Sequence, residues 1–487
     1  MDMKRSTVLC IVLFLLAAGA PAPLPAASQT ARPNVILILT DDLDAKAVVH
    51  MPGLRAQLAD RGVTFANFFV TTSLCCPSRS SILRGQYVHN HRVYTNQPPR
   101  GGFETFRALG HERSTVATWL QAAGYRTVLM GKYLNGYPER TAPTYVPPGW
   151  EEWYSPSRGG YANFNYTMNE NGRLVAYGSR PEDYMTDVLA RKAADVIRRS
   201  GRDGKPFFLY LATYAPHAPA TPAPRHANAF ADVTAPRPPS FNEADVSDKP
   251  GWVQQREALS AAQVARINEE YRTRLRSLLA VDEMIEALID TLRQTGQLDR
   301  TYLFFTSDNG FHMGEHRLMP GKNTAFEEDI HVPLLVRGPG VPAGRVVDAL
   351  ALNIDLAPTF AALAGIQVPS FVDGRSLAGW LHTVPPTGAW REAFAVEHYN
   401  EQPRNARQAH PARQIPEFAG LRMRNLVYVE YETGELELYD LATDPYQLHN
   451  LAAGASRELI ARLSARLAAL RACRGQNCLA AEDAGSR

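Results

Sequence analysis

Val35-Ile36-Leu37-Ile38-Leu39-Thr40 is a continuous apolar, β-branched run that ends on two carboxylates, Asp41-Asp42. A strand buried on both faces has this composition, as in the centre of a parallel sheet. Thr301-Tyr302-Leu303-Phe304-Phe305-Thr306 repeats the pattern and stops on Ser307-Asp308-Asn309-Gly310. Residues 126–130 and 207–211 read as two further strands, and 114–123 as a short helix. A long helix is predicted over 260–295, with Val264, Ile267, Tyr271, Leu275, Leu278, Ile285, Leu288 and Leu292 near helical period and Gly296 as its stop. Strand–helix alternation of this kind predicts a doubly wound α/β sheet.

Beyond residue 385 the pattern changes. Residues 426–431, a Thr433-Gly434 turn and residues 435–439 read as a hairpin, hence a smaller C-terminal antiparallel sheet. An amphipathic helix is predicted over 457–472. The 487 residues exceed the usual 100–200 per domain. The expected division is a main domain over 33–384, a small α+β subdomain over 385–478 and a tail over 479–487. Residues 216–250 are proline-rich and polar, the signature of a long ordered loop or lid.

Hydrophobic residues at 45% and charged ones at 21% exclude a mostly disordered chain. The net charge of +2 leaves no basic footprint for nucleic acid, so an anionic ligand would need a local pocket. At the N-terminus Lys4 and Arg5 precede an apolar run over 8–20, then Ala26-Ala27-Ser28. This reads as a signal peptide over 1–28, against the alternative of an uncleaved anchor. No stable membrane anchor is expected, and the mature chain is expected to be secreted, periplasmic or in a lysosomal-type compartment. There Cys473 and Cys478 can close a small disulfide loop, while Cys10 leaves with the signal. Adjacent Cys75 and Cys76 are poorly placed to bridge each other and call for a chemical reading.

Two acidic pairs, Asp41-Asp42 and Asp308-Asn309, each end a buried strand. In open α/β sheets the ligand crevice lies beyond the carboxyl ends of the strands. Three carboxylates and an amide oxygen meeting there form an all-oxygen site for Ca²⁺ or Mg²⁺; the alternative is that each pair only caps a turn. Cys75-Cys76-Pro77-Ser78-Arg79 is the most specific signal, since roughly 0.04 chance matches to Cys-x-Pro-x-Arg are expected in such a chain.

On these residues the chain resembles the sulfatase family of the alkaline-phosphatase-like superfamily, which implies an α/β fold with a mixed, mostly parallel sheet flanked by helices and a smaller C-terminal antiparallel-sheet domain. The resemblance runs through Asp41-Asp42, the Cys75 motif, Gly131-Lys132, Pro216-His217, Asp308-Asn309-Gly310, Gly321-Lys322 and Leu438-Tyr439-Asp440-Leu441. It implies that Cys75 is oxidised to formylglycine by a formylglycine-generating or equivalent maturing enzyme. A hydrated aldehyde carries two hydroxyls: one attacks sulfur, and deprotonation of the other expels sulfate and restores the aldehyde. The resemblance further implies that Asp41, Asp42, Asp308, Asn309 and residue 75 hold the divalent cation and that Arg79 steadies the hydrate. It makes Lys132 and Lys322 the sulfate-binding lysines and His217, alone or with Lys322, the general acid.

Two departures stand out. Many sulfatases place a histidine two residues after the lysine matching Lys132; here Leu134 stands there, followed by Asn135, which leaves His89, His91 and His312 as candidate bases. Arg84-Gly85 replaces the usual Thr-Gly. The wording Tyr87-Val88-His89-Asn90-His91 and Gly131-Lys132-Tyr133-Leu134-Asn135 resembles the N-acetylglucosamine-6-sulfatases and heparan 6-O-endosulfatases, which share the Leu134 replacement. The chain lacks the long basic insertion of the endosulfatases. His89, His91 and Tyr94 are expected on the substrate side, with solvated loop positions as the alternative. The expected partner is a sulfated carbohydrate such as 6-sulfated N-acetylglucosamine. The alternatives are a phosphonate or phosphodiester hydrolase and an inactive sulfated-glycan-binding protein. Asn165-Tyr166-Thr167 is a glycosylation sequon where the host glycosylates secreted proteins.

Overall fold

Alternate residues of the first apolar run enter two different cores. β1 (Asn34–Thr40) is buried along its whole length. Val35, Leu37 and Leu39 join one core and Ile36 and Ile38 the other, because successive strand side chains point to opposite faces. The computed structural model describes residues 32–382, 387–401 and 415–484, so the expected signal peptide lies outside the described residues.

In chain order there follow β2 (Val63–Phe65), β3 (Phe68–Phe69), β4 (Arg126–Gly131) and β5 (Glu152–Arg158). Next come β6 (Thr167–Glu170), β7 (Arg173–Ala176), β8 (Phe207–Ala212) and β9 (Thr301–Ser307). β10 (Leu334–Arg337), β11 (Arg345–Val347) and β12 (Ala351–Leu352) complete this part. The main sheet runs β11-β2-β10-β9-β1-β8-β4-β5-β6-β7. Its centre, β9-β1-β8-β4-β5, is parallel, and β10 and β6 flank that centre antiparallel. Thr40 pairs with Ser307, and Gly131 with Ala212, so the carboxyl ends of four neighbouring strands finish level.

Helices cover both faces. Met185–Asp203 and Ala261–Gln294 pack on the face of Ile36. Cys75–Arg84, Val116–Ala122 and Leu356–Leu363 pack on the face of Leu37. The long helix agrees with its prediction to within one residue at each end, since the Ser260 hydroxyl caps it by accepting from the Gln263 N–H. Residues 216–250 form the expected loop, with a single 3-10 turn (Pro224–His226) and buried anchors at Ala223, Ala235 and Val246.

β13 (Ala393–His398), β14 (Phe418–Met423), β15 (Leu426–Tyr431) and β16 (Leu436–Asp440) form the antiparallel four-stranded sheet. Together with the helix Arg457–Ala472 this sheet shares one core with the Leu37 face of the main sheet. The described residues from Arg32 onward accordingly cluster as a single compact unit. The Cys473–Cys478 disulfide is formed.

The expected tail from 479 is partly replaced by a helix, Asn477–Asp483. Glu482 in that helix is fully buried, and its carboxylate lies 3.0 Å from Arg391 Nε and 2.7 Å from Arg375 Nη2. Arg391 also pairs with Asp355 at 2.5 Å. Two guanidiniums thus offset the cost of burying the carboxylate, a signal that the short apolar pattern of the segment does not carry. Arg391→Met leaves two buried carboxylates short of a partner and is expected to cost about 3–5 kcal/mol in a denaturant titration.

Candidate active site

Five adjacent strand ends build the site. At the end of β1, Asp42 takes a left-handed φ of 66°, an uncommon conformation that aspartate tolerates better than most residues. Its N–H donates to Asp308 Oδ1 (3.1 Å), beyond β9, and Asn309 Nδ2 donates to Asp42 Oδ1 (2.7 Å). Asp41, Asp42, Asp308 and Asn309 are all buried. β4 delivers Lys132 through Gly131, where a Cβ would stand 1.8 Å from the Ala212 carbonyl oxygen, so glycine is required for this close approach. β8 leads to His217.

The helix Cys75–Arg84 closes the cluster from the Leu37 face. Cys75 Sγ lies 3.5 Å from Asp41 Oδ1 and 3.8 Å from Asp42 Oδ1. Lys322 Nζ donates to that sulfur at 2.7 Å and also to Asp42 Oδ1. Lys132 Nζ donates to Asp41 Oδ2 at 2.6 Å. Arg79, one turn past Cys75 and fully buried, donates from Nε to Asp308 Oδ2 (2.7 Å) and from Nη1 to the Lys132 carbonyl (2.8 Å). His217 donates from Nδ1 to the Ala218 carbonyl at 2.7 Å, which leaves Nε2 facing Asp42 Oδ2 at 3.6 Å.

Asp41, Asp42, Cys75 and His217 form a possible metal-binding group, with one ligand atom from each lying within 4.8 Å of the others. Burial pushes the Asp41 carboxyl up, but Lys132, His217, Arg79 and Lys322 outweigh it and hold the group ionised. Burial pushes the Cys75 thiol well up, so as a thiol it is a weak nucleophile. Within the cluster, Asn309 Oδ1 is buried without a hydrogen-bond partner, and Arg79 Nη2 makes no hydrogen bond but lies 3.9 Å from Asp41 Oδ2. An orphaned amide oxygen beside the Asp41, Asp42 and Asp308 carboxylates fits a hard divalent cation, and these four residues supply oxygens alone, whereas Cys75 and His217 would add sulfur and nitrogen.

The histidines divide. His312 Nδ1 lies 2.9 Å from Asp329 Oδ1, and its backbone exchanges two hydrogen bonds with Gly321 (2.9 and 3.1 Å), so it supports the Lys322 segment. His89 is tied to Glu397 at 2.5 Å and stacks on Tyr87, which links it to the C-terminal sheet. His91 corrects an expectation. It is fully buried, with Nε2 at 3.0 Å from Ser81 Oγ and Nδ1 accepting from the Val93 N–H (3.1 Å), so both nitrogens serve the fold rather than a substrate. Tyr94 packs on Tyr399. Leu134 is a core residue, and Arg84 stacks on Phe371 while holding Gln86 and the Ser114 carbonyl.

Two residues escaped the sequence reading. Arg274 is buried on the long helix and donates to the carbonyls of Asp42 and Pro216, bracing the segments that carry Asp42 and His217. A charge on an apolar helical stripe, beside Tyr271 and Leu275, was its available signal. Tyr161, beyond β5, lies against Lys132 and His217 and carried no motif.

The sulfatase family model matches residues 33–366, and the model of the N-sulphoglucosamine sulphohydrolase C-terminal region matches 314–473. Human N-acetylglucosamine-6-sulfatase is 34% identical over 498 residues, covering 96% of this chain and 89% of that protein. An extracellular sulfatase homologue of Caenorhabditis elegans is 41% identical over 71% of this chain, which spans only 48% of that relative's length. Among solved structures, a complex with D-glucosamine-2-N,6-O-disulfate superposes with a TM-score of 0.73 at 24% identity, covering 90% of this chain and 97% of that one. A phosphonate monoester hydrolase from Silicibacter pomeroyi gives 0.72 at 25% identity, covering 92% and 97%. With the family model matched across the whole strand-end cluster and the human relative across nearly the full chain, this chain belongs to the sulfatase family.

Proposed function

We propose that the chain hydrolyses sulfate esters of glucosamine-type sugars, 6-sulfated N-acetylglucosamine among them, through a formylglycine made from Cys75 by a formylglycine-generating or equivalent maturing enzyme. The observation that carries this reading is the position of Cys75 Sγ between the Lys322 ammonium and the Asp41 and Asp42 carboxylates. The names of relatives support the substrate class, since those over 30% identical are sulfatases and several are N-acetylglucosamine-6-sulfatases.

Asp41, Asp42, Asp308 and Asn309 would hold Ca²⁺ or Mg²⁺, which when bound offsets charge on sulfate oxygens and lowers the pKa of a neighbouring hydroxyl. A formylglycine hydrate at position 75 would supply both the attacking hydroxyl and a second hydroxyl whose deprotonation releases sulfate. Lys132 and Lys322 bring two ammonium groups to the anionic ester, which would otherwise repel a nucleophile. Arg79, anchored on Asp308 and the Lys132 carbonyl, fixes residue 75 from its own helix. His217 directs Nε2 toward the leaving oxygen and donates its proton there, its ring orientation set by the Nδ1 bond to Ala218. His312 positions Lys322 through its backbone bonds to Gly321.

The division into a catalytic part over 33–384 and a C-terminal subdomain over 385–478 accords with this reading, since every residue assigned here precedes 385. The Cys473–Cys478 disulfide supports a destination outside the cytoplasm. Among the described residues no helix is long and apolar enough to cross a membrane.

The test compares catalytic efficiency on N-acetylglucosamine 6-sulfate, 4-nitrophenyl sulfate and an aryl phosphodiester. The proposal expects sulfate esters to be preferred by at least about tenfold; preference for the phosphodiester would favour the phosphonate-hydrolase reading instead. His217→Ala is expected to lower kcat about 10²–10⁴-fold on the sugar sulfate, and less on 4-nitrophenyl sulfate, whose phenolate leaves without a proton.

A further inference from the structure

The Tyr161 side chain, just beyond β5, is both fixed and open. It is 37% exposed. Its ring centroid lies 4.7 Å from the His217 ring, 5.0 Å from the Tyr214 ring and 5.2 Å from Lys132 Nζ. Asn135 Nδ2 donates to its hydroxyl at 3.3 Å. The turn that carries it is built rather than loose. At Gly160 a Cβ would stand 2.6 Å from the Tyr214 ring, so no larger residue fits without displacing that ring. Asn163, buried with φ 60°, accepts the Met185 N–H at its carbonyl (3.0 Å) and donates from Nδ2 to the Thr221 carbonyl (3.3 Å). The last contact ties the turn to the loop that bears His217.

A solvated tyrosine needs none of this. The arrangement holds an aromatic face beside the proton donor and a sulfate-binding ammonium, on the side of the site where the alcohol of the ester must leave. Sugar rings present an apolar face of C–H groups that packs well on such a surface, while their hydroxyls stay free for polar partners.

We propose that Tyr161 is a specificity-determining residue whose exposed ring stacks on the pyranose carrying the sulfate ester, which holds the leaving oxygen at His217 Nε2. The inference rests on the sulfated-sugar reading given above. Position 161 thereby selects saccharide esters over sulfate esters of flexible alkyl alcohols, which offer no flat face to stack.

The experiment uses enzyme matured with the formylglycine-generating enzyme and measures kcat and KM on N-acetylglucosamine 6-sulfate. Variants are Tyr161→Ala, Tyr161→Leu, which keeps bulk against His217 without an aromatic face, and Tyr161→Phe, which keeps the face without the hydroxyl. Ala and Leu are expected to raise KM for the sugar sulfate at least about tenfold, with a smaller change in kcat, and Phe to stay within about threefold of wild type. Should Tyr161→Ala fail to fold, Tyr161→Leu and Tyr161→Phe give the same contrast. Unchanged KM in Leu, or a Phe variant as impaired as Leu, overturns the stacking role while wild-type turnover leaves the sugar-sulfate reading standing. Wild-type enzyme that cleaves 4-nitrophenyl sulfate but neither cleaves nor is inhibited by the sugar sulfate overturns both.

Discussion

Cys75→Ala lowers sulfate release from either 4-nitrophenyl sulfate or N-acetylglucosamine 6-sulfate by about four orders of magnitude or more, measured at saturating substrate. The size follows from what the side chain supplies. Residue 75 stands where two carboxylates, an ammonium and the Arg79 guanidinium converge, and in the proposed mechanism it carries both the nucleophile and the means of release. No neighbour can substitute for it. Cys76 is the internal control: it belongs to the apolar core on the Leu37 face, and its N–H donates to Asn96 Oδ1 at 2.9 Å. Cys76→Ala is expected to cost about 1 kcal/mol of stability through lost packing and to leave kcat near wild type. A Cys75→Ala enzyme with wild-type turnover would remove the nucleophile from the account.

Chelation of divalent ions is the second large effect. Dialysis against EDTA is expected to lower kcat by about a hundredfold or more, with recovery on adding Ca²⁺ or Mg²⁺. Three buried carboxylates and the orphaned Asn309 Oδ1 motivate this, because the ammonium groups of Lys132 and Lys322 now meeting Asp41 and Asp42 would be needed by the sulfate. Asp42→Ala should resist recovery at the same ion concentration, since it removes an oxygen pair at the centre of the cluster. Full activity after exhaustive chelation would show that the two lysines and Arg79 suffice.

The parallel centre was legible because two runs, at Val35 and at Thr301, are apolar at every position and so require cover on both faces. Their acidic ends were legible for the same reason, as polar residues directly after a buried strand lie at its carboxyl edge. The long helix was readable to its caps because Ser260 and Gln263 form a local motif. What the sequence concealed depends on distant partners. Glu482 is buried only because Arg391 and Arg375 reach it from other segments, so the segment after 479 looked like a tail. His91 resembled a pocket residue until Ser81 and Val93 took both of its nitrogens. Arg274 gains meaning only from Asp42 and Pro216, 232 and 58 residues away, and Tyr161 only from Lys132 and His217, 29 and 56 residues away. Spacing reports local geometry well, whereas long-range pairing decides which polar side chains face the site.

The central claim is that residue 75 works as an aldehyde beside a metal-binding cluster, and the mass of the tryptic peptide 62–79 tests it most directly. Preparations matured to different extents should show that peptide lighter by the exchange of one sulfur and two hydrogens for one oxygen, with kcat proportional to the converted fraction. An unconverted thiol throughout a preparation that releases sulfate at the full rate would contradict it.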